Sequence, residues 1–237
     1  MALDPLTNKA MFDRIAPTYD RLNHLLSLGI DRGWRRKAVR RLLPFKPRRV
    51  LDACCGTGDF SILLRDTLGA DVTGCDLSEG MMQIAREKAP DLRFEQQDCL
   101  HLTYGDASFD VVACAYGVRN FECLEDGLRE FHRVLESGGH LLILELSVPR
   151  RWPMTWGFWI YSRLIMRLVG RLVSRDHSAY EYLPESMAAF PQAEEVKALL
   201  RKVGFCRVSF HRYLFGLSTC FLAEKWESGG VISSSTT

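Results

Sequence analysis

The chain contains no Cys-x-x-Cys pair, although it has eight cysteines, at positions 54, 55, 75, 99, 114, 123, 206 and 220. Their spacing excludes a zinc knuckle and a disulfide framework, so they read as small core residues of a reducing compartment. No His/Asp/Glu cluster with ligand spacing suggests a metal centre. Excess charge is scarce as well. The net charge is only +2, and without a long basic block nucleic acid is excluded as the main partner. No charged-then-apolar leader opens the chain, which leads to the expectation of a cytoplasmic protein. The longest apolar stretch is interrupted by Arg163 and Arg167, so a membrane span is excluded. There is no internal repeat. What remains is 237 residues, 47% hydrophobic and 25% charged, enough for one large domain or a domain with an insertion.

The informative stretch runs from Arg48 to Ser78. Val50 and Leu51 form a short apolar run ending in Asp52. The loop Cys54-Cys55-Gly56-Thr57-Gly58-Asp59 follows, and then Ile62, Leu63, Leu64 and Leu68 recur at helical spacing. This pattern predicts strand, tight loop, helix. A second strand over 72–75 ends on Asp76, with Leu77 beside it. In an open parallel sheet, strand ends and neighbouring helix N-termini form a crevice for a ligand. Glycines there let the backbone approach that ligand closely. The Asp76 carboxylate, at 76 − 58 = 18 residues beyond Gly58, is placed to accept from both hydroxyls of a ribose. The Gly-x-Gly-x-x-Gly of a dinucleotide site is missing, and Asp52 and Asp59 would repel a pyrophosphate. A cationic nucleoside with an amino-acid end suits the loop better, and S-adenosylmethionine is such a ligand. The loop resembles the first motif of the Rossmann-like class I methyltransferases. A glycine turn that binds nothing is the alternative, and Asp76 speaks against it.

The remaining chain fits that outline. Residues 1–47 form an N-terminal helical cap: a helix over 8–15 that Pro17 stops, then a basic helix over 35–43. Ser78 N-caps a helix carrying Met81, Met82, Ile84 and Ala85. A third strand over 92–96 leads to Asp98 and Cys99. A fourth over 109–116, almost wholly apolar and so buried on both faces, delivers Tyr116-Gly117-Val118-Arg119-Asn120 to the crevice. A helix over 124–135, a Gly138-Gly139 turn and a fifth strand over 141–146 come next. Residues 149–191 form an insertion. The chain resumes with a helix over 193–203 capped by Gly204, then strands over 205–212 and 218–224. These form an antiparallel hairpin whose last strand inserts into the parallel sheet. The expected fold is α/β: a seven-stranded, mostly parallel sheet with an antiparallel last strand, over a domain of 48–227 with a disordered tail at 228–237.

The insertion has its own chemistry. Trp152, Trp156, Phe158, Trp159 and Tyr161 crowd its start, and Arg163, Arg167, Arg171 and Arg175 recur every fourth residue, on one helix face. An amphipathic helix with a basic stripe and tryptophans fits the surface of an anionic membrane, with contact through 152–175. A lid helix with solvated arginines is the alternative, and the two can coexist.

Longer motifs carry a more specific likeness. Tyr19-Asp20, Leu22-Asn23 and Ser27 through Trp34 resemble the first signature of the menaquinone/ubiquinone biosynthesis C-methyltransferases, and Arg133-Val134-Leu135 through Glu145-Leu146-Ser147 the second. Gly117-Val118-Arg119-Asn120 looks like that family's Gly-Leu-Arg-Asn element, and Tyr180 to Ser186 with Phe190-Pro191 like its lid. Departures are Leu22 for methionine, Asp31 for histidine, Tyr116 for Phe or Ser, and Glu136-Ser137 for Lys-Pro.

The resemblance implies transfer of a methyl group from S-adenosylmethionine to a ring carbon of a prenylated quinol, demethylmenaquinol giving menaquinol, without a metal. A ubiquinone-pathway benzoquinol, another lipid-like acceptor, or a cofactor-binding protein without activity are the alternatives. It further implies that Asp76 and Leu77 hold the ribose, Gly56, Thr57 and Gly58 shape the loop, and Asp52 anchors the amino-acid end. Asp98 and Cys99 would frame the adenine, with Tyr116 beside the sulfonium and Tyr19 near the methionine portion. Arg119 and Asn120 would position the quinol hydroxyl, unless Arg119 is spent on a carboxylate such as Glu122. Tyr182, Tyr180 and His177 are alternative proton acceptors. A quinol substrate places the protein at the inner face of a membrane, and a homodimer stays open.

Overall fold

The computed structural model of the chain describes residues 5–149, 154–161 and 178–226. The short apolar runs become β1 (Arg49–Ala53), β2 (Asp71–Asp76), β3 (Arg93–Gln96), β4 (Phe109–Ala115) and β5 (Leu135–Leu146), joined by α3 (Asp59–Leu68), α4 (Glu79–Lys88) and α5 (Leu124–Val134). Two helices precede them, α1 (Pro5–Leu26) and α2 (Ile30–Arg40). After β5 come α6 (Met154–Tyr161), α7 (Ser178–Ala189), α8 (Ala193–Val203), β6 (Phe205–Tyr213) and β7 (Ser218–Lys225). The sheet order is β3-β2-β1-β4-β5-β7-β6. β1 to β5 pair in parallel, and β7 lies antiparallel between β5 and β6. The expected seven-stranded sheet and the inserted last strand are both present.

β4 illustrates why the sheet is buried on both sides. Its side chains alternate. Val112 and Cys114 join a core with Phe131 of α5 and Leu200 of α8, while Val111 and Ala113 join one with Val39 of α2 and Leu64 of α3. Strand order reverses between β1 and β4, so their carboxyl ends splay a crevice open, the usual ligand position in such sheets.

Three elements depart from expectation. Pro17 does not stop the first helix, which runs through it for 22 residues. The lost hydrogen bond and ring clash cost about 3 kcal/mol, but Ile15, Ala16 and Tyr19 pack on Met81 and Ile84 of α4, and the Asp13 carboxylate accepts from Ser78 Oγ (2.5 Å) and Gly80 N (3.0 Å). Packing wins over propensity. α2 begins at Ile30, five residues earlier than read, because Gly29 turns the chain at φ +72. And β5 is continuous through the glycine pair: Gly138 adopts φ +77, the register shifts opposite Phe109 and Val111, and a Cβ on Gly139 would lie 2.9 Å from Glu136 O. A bulge, not a turn, is what these glycines permit. The arginine stripe at 163–175, His177 and the tail lie outside the described residues, and among those described no helix is long and apolar enough to cross a membrane.

Candidate active site

β1 leads into a loop whose two glycines have different reasons to be there. Gly58 has φ +82, and a Cβ on it would meet Ala85 Cβ at 3.0 Å and the Phe94 ring at 3.2 Å. Its smallness lets the start of α3 pack on α4 and β3, and it lines neither of the site's two cavities. Gly56 has φ +54 and nothing within 4 Å of a built Cβ. Its N–H donates to Asp76 Oδ2 (2.9 Å), and Ser78 N donates to Oδ1 (2.9 Å). Those two bonds fix the carboxylate at the tip of β2, and burial pushes it up to about 6. Gly56, Asp76, Leu77, Asp98 and Cys99 line one cavity of about 110 Å³. Asp98 Oδ1 accepts from Leu100 N (2.9 Å). The Cys99 thiol lies 3.5 Å from Cys54 Sγ and 4.0 Å from Cys75 Sγ.

Like Gly58, two further residues read as cofactor contacts do not line this cavity. Asp52 is fully buried and lines neither this cavity nor the next. Its Oδ2 accepts from Ser61 Oγ (2.5 Å), and burial raises its carboxyl to about 7. The short Asp side chain at the end of β1 reaches α3 beneath the loop instead of the crevice above it. Thr57 Oγ1 donates to Asp20 Oδ1 (2.6 Å), tying the loop to α1. Nor does Asp59 act as a bare anion at the helix start, since Lys88 bridges it to Asp20 at 2.6 Å on each side.

A second cavity of about 310 Å³ lies on the other side of Tyr19 and Tyr116, which line both. Its walls are apolar: Leu26, Leu28, Ile30, Trp34, Leu146, Phe158, Leu183, Met187, Leu214 and Leu217. The α1–α2 turn, α6, α7 and the β6–β7 connection thus converge on one chamber. Asn23, Asp31, Arg35 and Arg119 bring polar groups to it. Tyr116 is held at φ +64, and the Arg35 guanidinium stacks 5.2 Å from its ring centroid.

Arg119 is buried and paired, with Glu145 and not Glu122. Nη1 donates to Glu145 Oε1 (2.8 Å) and to the Tyr116 carbonyl, while its backbone N–H donates to Glu145 Oε2 (3.1 Å). Arg119 Nε is a buried donor with no hydrogen-bond partner among the described residues. Tyr182 donates its hydroxyl to Asn120 Oδ1 (3.0 Å), and burial raises its phenol, so it is poorly suited to take a proton. The side chain of Tyr180 lies outside the described residues. Glu145 was missed in the sequence. The signal was available: a single carboxylate in the apolar run Leu141–Leu146 has to find a buried cation.

Among the described residues, no group of three or more His, Cys, Asp or Glu side chains could hold a metal. The sequence model of the ubiE/COQ5 methyltransferase family matches residues 4–225. A demethylmenaquinone methyltransferase of Bacteroides fragilis is 49% identical over 222 residues, 91% of each chain. One of Deinococcus radiodurans is 44% identical over 220 residues, again 91% of each. The ubiquinone/menaquinone biosynthesis C-methyltransferase of Geotalea daltonii is 37% identical over 223 residues, 91% of this chain and 94% of its own. Among solved structures, a SAM-dependent methyltransferase of Thermotoga maritima has a TM-score of 0.65 at 22% identity, covering 91% of this chain and 99% of its own. The cyclase SpnF reaches 0.68 at 17% identity, covering 92% and 96%. At such identities the likeness is one of fold, and a cyclase among the matches illustrates that fold alone does not fix the reaction.

Proposed function

The chain belongs to the ubiE/COQ5 methyltransferase family, and from that premise we propose that it methylates a ring carbon of prenylated demethylmenaquinol, with S-adenosylmethionine as donor. The observation that carries this reading is the meeting of two unlike cavities, one of mixed lining that holds the Asp76 and Asp98 carboxylates at the strand tips, the other mostly apolar, across Tyr19 and Tyr116.

The residues present fit the cofactor. Each Asp76 oxygen already accepts one backbone N–H but keeps lone-pair capacity for a ribose hydroxyl. The space beside Gly56 admits a ligand against bare backbone. S-adenosylmethionine, when bound, supplies an electrophilic methyl group on a sulfonium. Asp76 and Leu77 would hold its ribose and Asp98 and Cys99 would face its adenine. Tyr19 and Tyr116 would flank the junction through which the methyl group passes. Asp52, Thr57 and Gly58 act from beneath, by fixing the loop.

On the acceptor side, the apolar walls exclude water from the ring and from the start of its isoprenoid tail, which aligns the reacting carbon and removes competing solvent. Arg119 contributes less as a net charge, since Glu145 neutralises it, than as a fixed donor: its unspent Nε–H is the group we assign to the quinol oxygen. Asn120 acts one step away by holding Tyr182.

A lipid-borne substrate needs a way in. We take residues 1–47 as a cap, 149–191 as a lid, and the chamber's mouth as a surface that rests on the membrane. Leu28 (78% exposed) lines the chamber itself, and Phe215 (67%) and Trp156 (65%) stand beside residues that do. The deciding assay incubates purified protein with labelled S-adenosylmethionine and reduced demethylmenaquinol, a reduced demethylated benzoquinol, or phospholipid. Label is expected in the naphthoquinol. Label in the phospholipid alone would reject the proposal, and label in the benzoquinol alone would move it to the ubiquinone pathway.

A further inference from the structure

Methylation at an aromatic carbon is fast only once a neighbouring hydroxyl has lost its proton, so a proton acceptor has to reach the ring. Glu145 is sequestered: it accepts from Arg119 Nη1, from the backbone N–H of Arg119 and from Leu146 N (2.8 Å). Tyr182 is committed to Asn120. Among the described residues lining the apolar chamber there is one carboxylate, Asp31, and no histidine. It is only 5% exposed. The left-handed turn at Gly29 starts α2 just before it and so brings its first turn to the chamber wall. Ser27 Oγ donates to Asp31 Oδ1 (2.6 Å), and Arg35 Nε lies 3.8 Å from Oδ2. Arg35 in turn covers the Tyr116 ring, so the carboxylate stands one side chain away from the cavity junction.

We propose that Asp31 is the general base of the reaction, taking the proton of the quinol hydroxyl beside the carbon that is methylated. The inference rests on the quinol reading above. The proton passes to Asp31 and the ring becomes a phenolate. The new carbon–carbon bond forms as the sulfur keeps the electron pair of the broken methyl–sulfur bond. The ring C–H proton then moves through water back to oxygen, restoring the quinol, and Asp31 releases its proton to solvent, one per methyl transferred. The groups facing Asp31 suit this role. Arg35 on its own helix and Arg119 across the chamber favour an anionic ring, although Glu145 offsets the second. Tyr19 and Tyr116 are neutral neighbours, and burial pushes the Tyr116 phenol up, with Arg35 opposing and Asp31 adding to the rise.

The test compares the parent with Asp31→Asn, which keeps the shape and a hydrogen-bonding oxygen but cannot take the proton. The expected loss in kcat near neutral pH is about a hundredfold or more, with cofactor affinity by calorimetry unchanged. The deficit should shrink as pH approaches about 10, where a phenol ionises unaided. Asp31→Glu returns a carboxylate and should recover at least about tenfold over the Asn variant. Turnover of Asp31→Asn within about threefold of the parent, a deficit equal at every pH, or a Glu variant as slow as the Asn one would overturn the proposal. A parent inactive on reduced demethylmenaquinol would instead sink the quinol reading, which separates the two failures.

Discussion

Arg119 and Glu145 bury opposite charges almost completely, with side chains 7% and 0% exposed. Such a pair contributes little net stability, because desolvation offsets the attraction, yet removing one member strands the other. Arg119→Ala should therefore lose about 3–5 kcal/mol in urea unfolding as well as turnover. The double change Arg119→Met with Glu145→Leu should recover most of that stability while turnover stays low. If the double variant recovered turnover too, the Arg119 Nε–H would have no part in the reaction. Asp76 makes a separate prediction. Burial pushes its carboxyl up to about 6, and ribose hydroxyls need the charged form to donate to. Affinity for S-adenosylmethionine should thus be level above that pH and weaken by about tenfold per unit below it, measured by calorimetry. Asp76→Ala should abolish binding, and unchanged affinity would mean that the ribose lies elsewhere. For stability the sign runs the other way. Asp52 and Asp76 have folded values of about 7 and about 6, both above the ordinary carboxyl range. The native state binds more protons than the unfolded one in that window, so stability falls as pH rises through it and levels off above about 7. Asp52→Asn should flatten much of the decline.

Loops and helices differ in how much of themselves they disclose. Gly56 and Gly58 look alike in the sequence, yet Gly58→Ala should destabilise by about 1–3 kcal/mol from left-handed strain and overpacking against Ala85. Gly56→Ala should lose about 1 kcal/mol from strain alone but cut cofactor affinity more sharply than Gly58→Ala does. Thermal unfolding beside calorimetry separates the two, and the same rank order in both assays would refute the assignment. What could be read from the chain was what local pattern dictates: the β1–loop–α3 unit, the carboxylate ending β2, the Ser78 cap, whose hydroxyl accepts from Met81 N (3.2 Å), and the inserted last strand. What could not be read depends on distant partners. Pro17 stays helical because α4 lies beside it. Gly138 and Gly139 bulge because β4 passes at close quarters. Asp52 turns away from the crevice because Ser61 is nearer, and Arg119 finds Glu145, 26 residues on, only when β4 and β5 pair.

At the scale of the molecule, three separate segments that contribute to the chamber's lining each leave a large apolar side chain in water: Leu28 between α1 and α2, Trp156 on α6, and Phe215 between β6 and β7. Leu28 and Phe215 also adopt left-handed backbone, at φ +51 and φ +57, so an unfavourable conformation goes together with an unfavourable exposure at the same rim. Composition pointed to contact through the tryptophan-rich start of the insertion; the other two segments came into view only when folding gathered them round one opening. Burying each such side chain in a bilayer interface is worth about 1.5–3 kcal/mol. Replacing Leu28, Trp156 and Phe215 together by serine should then lower cosedimentation with vesicles of mixed neutral and anionic lipid by at least about tenfold in partition coefficient. Affinity for S-adenosylmethionine should be unaffected, since none of the three lines its cavity. Turnover should fall much further on vesicle-borne long-chain quinol than on a short-chain quinol in solution, where only the loss of Leu28 from the chamber wall is felt. Equal turnover of parent and triple variant on both substrates would mean that the chamber fills from water, and that its greasy rim serves something other than the membrane.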